Sequence, residues 1–276
     1  MRKLFVNIVC LFIPNQRLRR ELRQKWKPTK ETYLTWMLQK EVRDDLCHKM
    51  SLLHNGDIAT MPSGVKFYAP LYPWDCIQRE VVDTGRFVDQ DILEELRQYI
   101  PKNATILDIG ANVGNHTLFF AFNAGGGAAR IHSFEPVPET YRMLAKNVEI
   151  NGLEKIVTTH NVGLGDKESA ADIMLCHPRN IGNAILTEGA GSLKIKRLDD
   201  IDLGKDKIDF VKIDVEGFEL KTLVGARRTL EKHKPPVYIE SFDNMIAAVK
   251  EFFKSMGYNA PIAYRHGNWL FLPKDK

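Results

Sequence analysis

From residue 105 onward the apolar and polar positions switch repeatedly between two periods. Ile106, Leu107 and Ile109 form a short apolar run, closed by Gly110-Ala111-Asn112-Val113-Gly114 and followed by a helical apolar run from Leu118 to Phe122. The exchange repeats downstream. Ile131 to Pro136 reads as a second strand, and Tyr141, Leu144, Ala145 and Val148 recur at helical spacing behind Pro138 until Asn151-Gly152 stops them. Ile156 to Val162 reads as a third strand and Ile208 to Val215 as a fourth, with Leu220, Leu223, Val224 and Leu230 as the inner face of the next helix. Val237 to Ser241 reads as a fifth strand. Short apolar runs alternating with helical stretches predict a parallel sheet covered on both faces, a doubly wound α/β fold.

Upstream the pattern differs. Leu34, Met37, Leu38, Val42 and Leu46 predict a helix, a polar stretch follows, and Met61 to Pro73 reads as a short strand or hairpin. The expected division is a helical appendage over residues 1–60 and a body over residues 61–276. The apolar run Leu4 to Ile13 has ten residues and ends at Pro14, whereas a spanning helix needs roughly 20. No small-x-small cleavage site follows it, which argues against a signal peptide. Beyond it, Leu18, Leu22 and Trp26 make one apolar stripe on a strongly basic helix.

Charge sharpens this division. The net charge is +4. Residues 1–30 hold nine basic side chains against Glu21 alone, while residues 61–276 hold 27 basic and 29 acidic ones. Residues 1–27 are therefore expected to contact an anionic membrane surface peripherally, on the cytoplasmic face. The alternative is a helix docked on the body or on a second subunit. The acidic balance of the body gives no reason to expect a nucleic-acid partner. Four cysteines without metal-ligand spacing fit a reducing, cytoplasmic setting.

Candidate chemistry gathers at the strand ends. The loop Gly110 to Gly114 has Asn112 where a dinucleotide fingerprint wants its middle glycine, and Asp108 stands two residues before it. S-adenosylmethionine carries an ammonium, a sulfonium and a ribose diol and no phosphate, so an acid at this loop is useful. Asp108 is the candidate for the ammonium, directly or through water. Glu135, at the end of the second strand, is the candidate acceptor for the ribose diol. Asp166, in the turn after the third strand, either bonds the adenine amino group or caps its own turn. On the fourth strand Lys212 and Asp214 share one side by the period of two, Glu216 follows in the turn, and Glu240 ends the fifth strand over the same crevice.

Together, Asp108-Ile-Gly-Ala-Asn-Val-Gly114, Phe134-Glu-Pro136, Asn161-Val-Gly-Leu-Gly-Asp166, Leu198-Asp-Asp200 and Lys212-Ile-Asp-Val-Glu-Gly217 resemble the FkbM family of methyltransferases, over about residues 62–273. Asn268 to Pro273 resembles that family's last strand. The resemblance implies a Rossmann-like methyltransferase sheet, S-adenosylmethionine as cofactor, and methyl transfer to a hydroxyl, often on a sugar or polyketide. It carries cofactor binding onto Asp108, Gly110, Asn112, Gly114 and Glu135, and the reacting edge onto Lys212, Asp214 and Glu216. The sequence departs from the family at Phe242, where many members place a histidine.

Asp214 is the first candidate for base or orienting group. Lys212 could serve as base only if burial lowers its pKa; otherwise it pairs with Asp214 or Glu216. A divalent metal on Asp214, Glu216 and Glu240 is the alternative to metal-free chemistry, which is preferred because no oxygen-ligand spacing stands out. The expected activity is O-methylation of a hydroxyl-bearing small-molecule or glycan acceptor, above all a sugar of a glycan or lipid-linked saccharide, the lipid-linked form being suggested by the basic segment. A nicotinamide-dependent oxidoreductase and an inactive cofactor-binding scaffold in a glycan-assembly complex are the alternatives. Residues 61–100 and 176–192, both read as irregular, are expected to shape the acceptor pocket, with His177 and Arg179 as either contacts or plain surface loop.

Overall fold

The computed structural model describes residues 58–124, 130–177, 180–189, 191–204, 206–241 and 245–274. The expected basic helix, its membrane contact and the helix over residues 31–46 lie outside the described residues, as do Arg179 and Phe242. All described residues fall in the second of the two units into which the chain divides, His54–Lys276.

A seven-stranded sheet forms the centre. In chain order its strands are β3 (Thr105–Ile109), β4 (Arg130–Phe134), β5 (Val157–His160), β10 (Phe210–Ile213), β11 (Val237–Glu240), β12 (Ile262–Ala263) and β13 (Asn268–Phe271). Their order across the sheet is β12-β13-β11-β10-β3-β4-β5. β11, β10, β3, β4 and β5 run parallel, and β13 and β12 close one edge antiparallel. Strand order reverses between β3 and β10, where such sheets leave a crevice above their carboxyl ends.

Both faces are apolar, as a parallel sheet requires. Alternate residues of each strand go to opposite sides. Ile106, Phe210, Tyr238 and Leu270 pack under α3 (Asn115–Asn123) and α4 (Pro138–Ile150). Leu107, Val211, Ile239 and Phe271 pack under α5 (Glu219–Gly225), α6 (Arg227–His233) and α7 (Ile246–Ser255). Each such fully buried side chain contributes about 1.5–3 kcal/mol. Pro138 opens α4 and Asn151 caps it, as the sequence predicts.

Three expectations change. The helix after β10 is two helices joined at Ala226, and Val224, expected inward, is 42% exposed. A Cβ on Gly225 would lie 1.9 Å from the Gly165 carbonyl oxygen, so that helix end runs against backbone, and the chain turns there. Residues 176–192, expected irregular, lie largely in a hairpin of β7 (Ser169–His177) and β8 (Asn180–Glu188). With β6 (Gly163–Leu164) and β9 (Leu193–Lys196) it forms a second sheet of order β6-β9-β7-β8. Residues 61–100 are also ordered: α1 (Cys76–Thr84) and α2 (Gln90–Leu96) follow a hairpin of β1 (Ile58–Thr60) and β2 (Lys66–Tyr68).

That hairpin is tied to the glycine loop by one side chain. Fully buried Asn147 of α4 accepts from Tyr68 N at 2.6 Å and donates to Val113 O at 2.8 Å. Among the described residues no helix is long and apolar enough to cross a membrane.

Candidate active site

A cleft of about 250 Å³ opens over the carboxyl ends of β3, β4, β10 and β11. Its floor is the glycine loop. Gly110 N and Ala111 N both donate to Phe134 O, at 3.0 and 2.9 Å, which bends the chain sharply off β3. Gly110 has φ +75°, and a Cβ there would lie 1.7 Å from Asp214 O, so only glycine lets the β3 and β10 ends meet. Asn112, at φ +50°, lines the cleft. Gly114 instead packs on α4, where a Cβ would meet Leu144 Cδ1 at 2.9 Å.

Glu135 stands at the cleft wall, just past β4. Its Oε2 accepts from Asn112 N at 3.0 Å and its Oε1 from Val137 N at 2.9 Å, so the carboxyl is aimed before any ligand arrives. Burial pushes it up to about 7, against those two amide hydrogen bonds, which favour the charged form.

Asp108 is not placed for direct contact with a ligand ammonium. It is fully buried and absent from the cleft lining. Thr117 Oγ1 donates to its Oδ2 at 2.6 Å, and Lys212 Nζ lies 3.4 Å from its Oδ1. An ammonium in the cleft would not reach these enclosed oxygens directly. Asp108 instead holds Lys212, whose Nζ donates to Gly110 O at 2.7 Å and lies 3.5 Å from Asp214 Oδ2.

Lys212 is also corrected as a candidate base. Burial works against its charge, but the Asp108 and Asp214 carboxylates outweigh burial and hold the ammonium above the ordinary lysine value. It therefore stays protonated, bracing the loop and the reacting edge.

Above it the carboxyls converge. Glu240 is hydrogen-bonded to Asp214; burial, then the Asp214 charge, then that bond push Glu240 up to about 9. Burial and the Asp214 charge likewise push Glu216, at φ +46°, up to about 7. The Glu240 carboxyl is thus held towards its protonated form beside Asp214. Among the described residues no three histidine, cysteine, aspartate or glutamate side chains sit so as to hold a metal ion.

Asp166 lies outside the cleft lining, with its Oδ1 buried and unpartnered. That side of the lining is formed by Val162, Gly163 and Leu164 after β5, and by Ala184, Leu186 and Ile195 of the second sheet.

Two wall residues escaped the sequence reading. His116, in the first turn of α3, has a buried, unpartnered Nε2; burial and then Lys212 hold its imidazole below the ordinary value, so it is neutral at pH 7. Its place directly after the glycine loop was a usable signal. Asp89, from the segment before α2, had none, because only the fold brings it to the cleft.

The model of the methyltransferase FkbM domain matches residues 108–260, more than half of the chain. The chain belongs to the FkbM methyltransferase family. It is 29% identical to methyltransferase sdnD of Sordaria araneosa over 46% of this chain and 61% of that protein. It is 28% identical to hexuronic acid methyltransferase AglP of Haloferax volcanii over 52% of this chain and 58% of that protein. The match thus spans less than two thirds of either relative. A solved FkbM methyltransferase from Methylobacillus flagellatus KT is 21% identical, with a TM-score of 0.47 over 61% of this chain and 43% of that one. The cofactor of the family is S-adenosylmethionine. The cleft suits that group chemically. It offers a buried, pre-aimed carboxyl at Glu135 for a diol, and orphaned buried polar atoms at Asn112 Oδ1 and His116 Nε2.

Proposed function

We propose that this chain transfers a methyl group from S-adenosylmethionine to a hydroxyl, on a sugar of a glycan or lipid-linked saccharide. The observation that carries the reading is the pairing of two carboxyl arrangements across one cleft: Glu135 pinned at β4, and Asp214 with Glu240 at β10 and β11. When bound, the cofactor supplies an electrophilic methyl on a sulfonium, open to in-line displacement by an oxygen nucleophile.

In this reading Glu135 accepts from the ribose hydroxyls and Asn112 faces the same ligand. Asp214 accepts the hydrogen bond of the acceptor hydroxyl and takes its proton as the oxygen–methyl bond forms and the sulfur–methyl bond breaks. Glu240, already protonated, fixes the Asp214 carboxylate, and Lys212 balances its charge without exchanging a proton. Apolar Phe218 and Leu186 keep water from competing for the methyl.

The named activity of the Haloferax relative supports a saccharide acceptor, while the cleft supports a hydroxyl rather than a carboxylate on it. Glu135, Asp214, Glu216 and Glu240 already crowd the lining, and the ammonium of Lys212 is enclosed by its own partners. A uronate would add a carboxylate to this acid-rich lining, in which Lys212 is the one lysine or arginine among the described residues. The test is transfer of a labelled methyl from S-adenosylmethionine to a panel of neutral sugars and their uronic acids. The expected product is a base-stable methyl ether. A base-labile methyl ester as sole product would overturn the hydroxyl assignment.

A further inference from the structure

Deepening that reading, we propose that Asp89, lying outside the residues matched to the family, binds the α-amino group of the methionine portion of S-adenosylmethionine, with His116 beside it. This part of the ligand is a fixed zwitterion whose ammonium needs an acceptor, and Asp108 is fully buried, outside the cleft lining and ion-paired with Lys212.

Asp89 is built into position. It stands at the N-cap of α2 with φ +55°, and its side chain makes no capping bond to that helix. An aspartate at an N-cap ordinarily turns its oxygen onto the helix amides; this one makes no such bond, and Asp89 is among the residues that line the cleft. Its backbone is held from two sides. Asn115 Oδ1 accepts from Val88 N at 3.0 Å, and Asn115 Nδ2 donates to Val88 O at 3.2 Å, which locks the segment to the start of α3. Leu93 N donates to Asp89 O at 3.0 Å. Arg265 Nη2 donates to one carboxylate oxygen, Oδ1, at 3.2 Å and leaves Oδ2 for a ligand in this proposal. A left-handed backbone at a non-glycine residue persists where its surroundings dictate it, and such residues gather at ligand sites.

The second observation is His116. Its Nε2 is buried in the same lining with no hydrogen-bond partner, an arrangement that is costly unless a ligand completes it. The charged groups around His116 are Lys212, Asp108, Asp214 and Asp89, and together with burial they leave it neutral, able to give or take one hydrogen bond. A carboxylate and a neutral imidazole thus both line the cleft, within electrostatic reach of each other.

The test compares two ligands that differ by the amino-acid portion. S-adenosylhomocysteine carries it and 5′-methylthioadenosine lacks it, while both keep adenine and ribose. Asp89→Asn is a mild change, because asparagine tolerates the left-handed backbone. Calorimetric titration of the full chain should show S-adenosylhomocysteine bound at least about tenfold more weakly by Asp89→Asn, as expected for a charge-assisted bond. Methylthioadenosine should bind both proteins alike, which also reports that the variant is folded. Equal loss for both ligands, or no loss for either, would overturn the assignment to Asp89 while leaving the cofactor reading intact. A wild-type chain that binds neither ligand would overturn the cofactor reading, and this inference with it.

Discussion

Lys212 shows how a buried charge is made tolerable and what it does there. Its ammonium sits between Asp108, Asp214 and the Gly110 carbonyl, with a side chain only 3% exposed. Removing one member of such a cluster leaves uncompensated buried charge, whereas the intact cluster need add little net stability. Lys212→Met is therefore expected to lower unfolding stability by about 3–5 kcal/mol in a denaturant titration. A loss under about 1 kcal/mol would show that the cluster is not the brace described here. The period of two placed Lys212 and Asp214 on one side from sequence alone. What the sequence withheld was the third partner: the β3–β10 register sets Lys212 beside Asp108, whose carboxylate pairs with its ammonium. A strand neighbour is not encoded in either strand's own pattern.

At the scale of elements, the parallel strands and the helices after β3 and β4 were legible because each is a short periodic run closed by a turn residue, whereas the break at Ala226 after β10 was not. The β7–β8 hairpin was not, since its pairing is anchored by distant groups such as Asp75, whose Oδ2 accepts from Ile181 N at 3.1 Å. Nor did the sequence reveal the histidines that join β4 to β5. His132 Nδ1 and His160 Nε2 are 3.2 Å apart, and His160 stacks on Phe134 at 4.4 Å. Burial, then His132, brings His160 down to about 4, and burial lowers His132 as well. A pKa depressed on folding contributes stability that is present above the unfolded value, near 6.5, and lost as pH falls towards the folded one. Acid should therefore loosen this edge between about pH 6.5 and 4. His160→Phe, which keeps a flat ring on Phe134, should be less acid-sensitive than wild type across that window in thermal melts. Parallel acid profiles for the two proteins would contradict this.

Across the whole molecule, the doubly wound sheet brings together groups that are far apart in the chain. Glu135, Asp214 and Glu240 come from three strand ends, Asp89 from an upstream segment, and Leu186 from the second sheet, all facing one cleft. The acids at strand ends were readable because strand order in this fold dictates which ends meet. Asp89 and Leu186 were not, since their placement depends on loops and a second sheet that no local period predicts. The central claim is that this cleft binds S-adenosylmethionine through Glu135. Burial raises the Glu135 carboxyl to about 7, and a diol donates only to its ionised form well, so affinity should weaken as pH falls through that value. The most direct measurement is calorimetric titration with S-adenosylhomocysteine at about pH 8, above that value, for the wild type and Glu135→Ala. Saturable binding by the wild type and its loss in the variant are the expected results. Failure of the wild type to bind, or undiminished binding by Glu135→Ala, would contradict that claim.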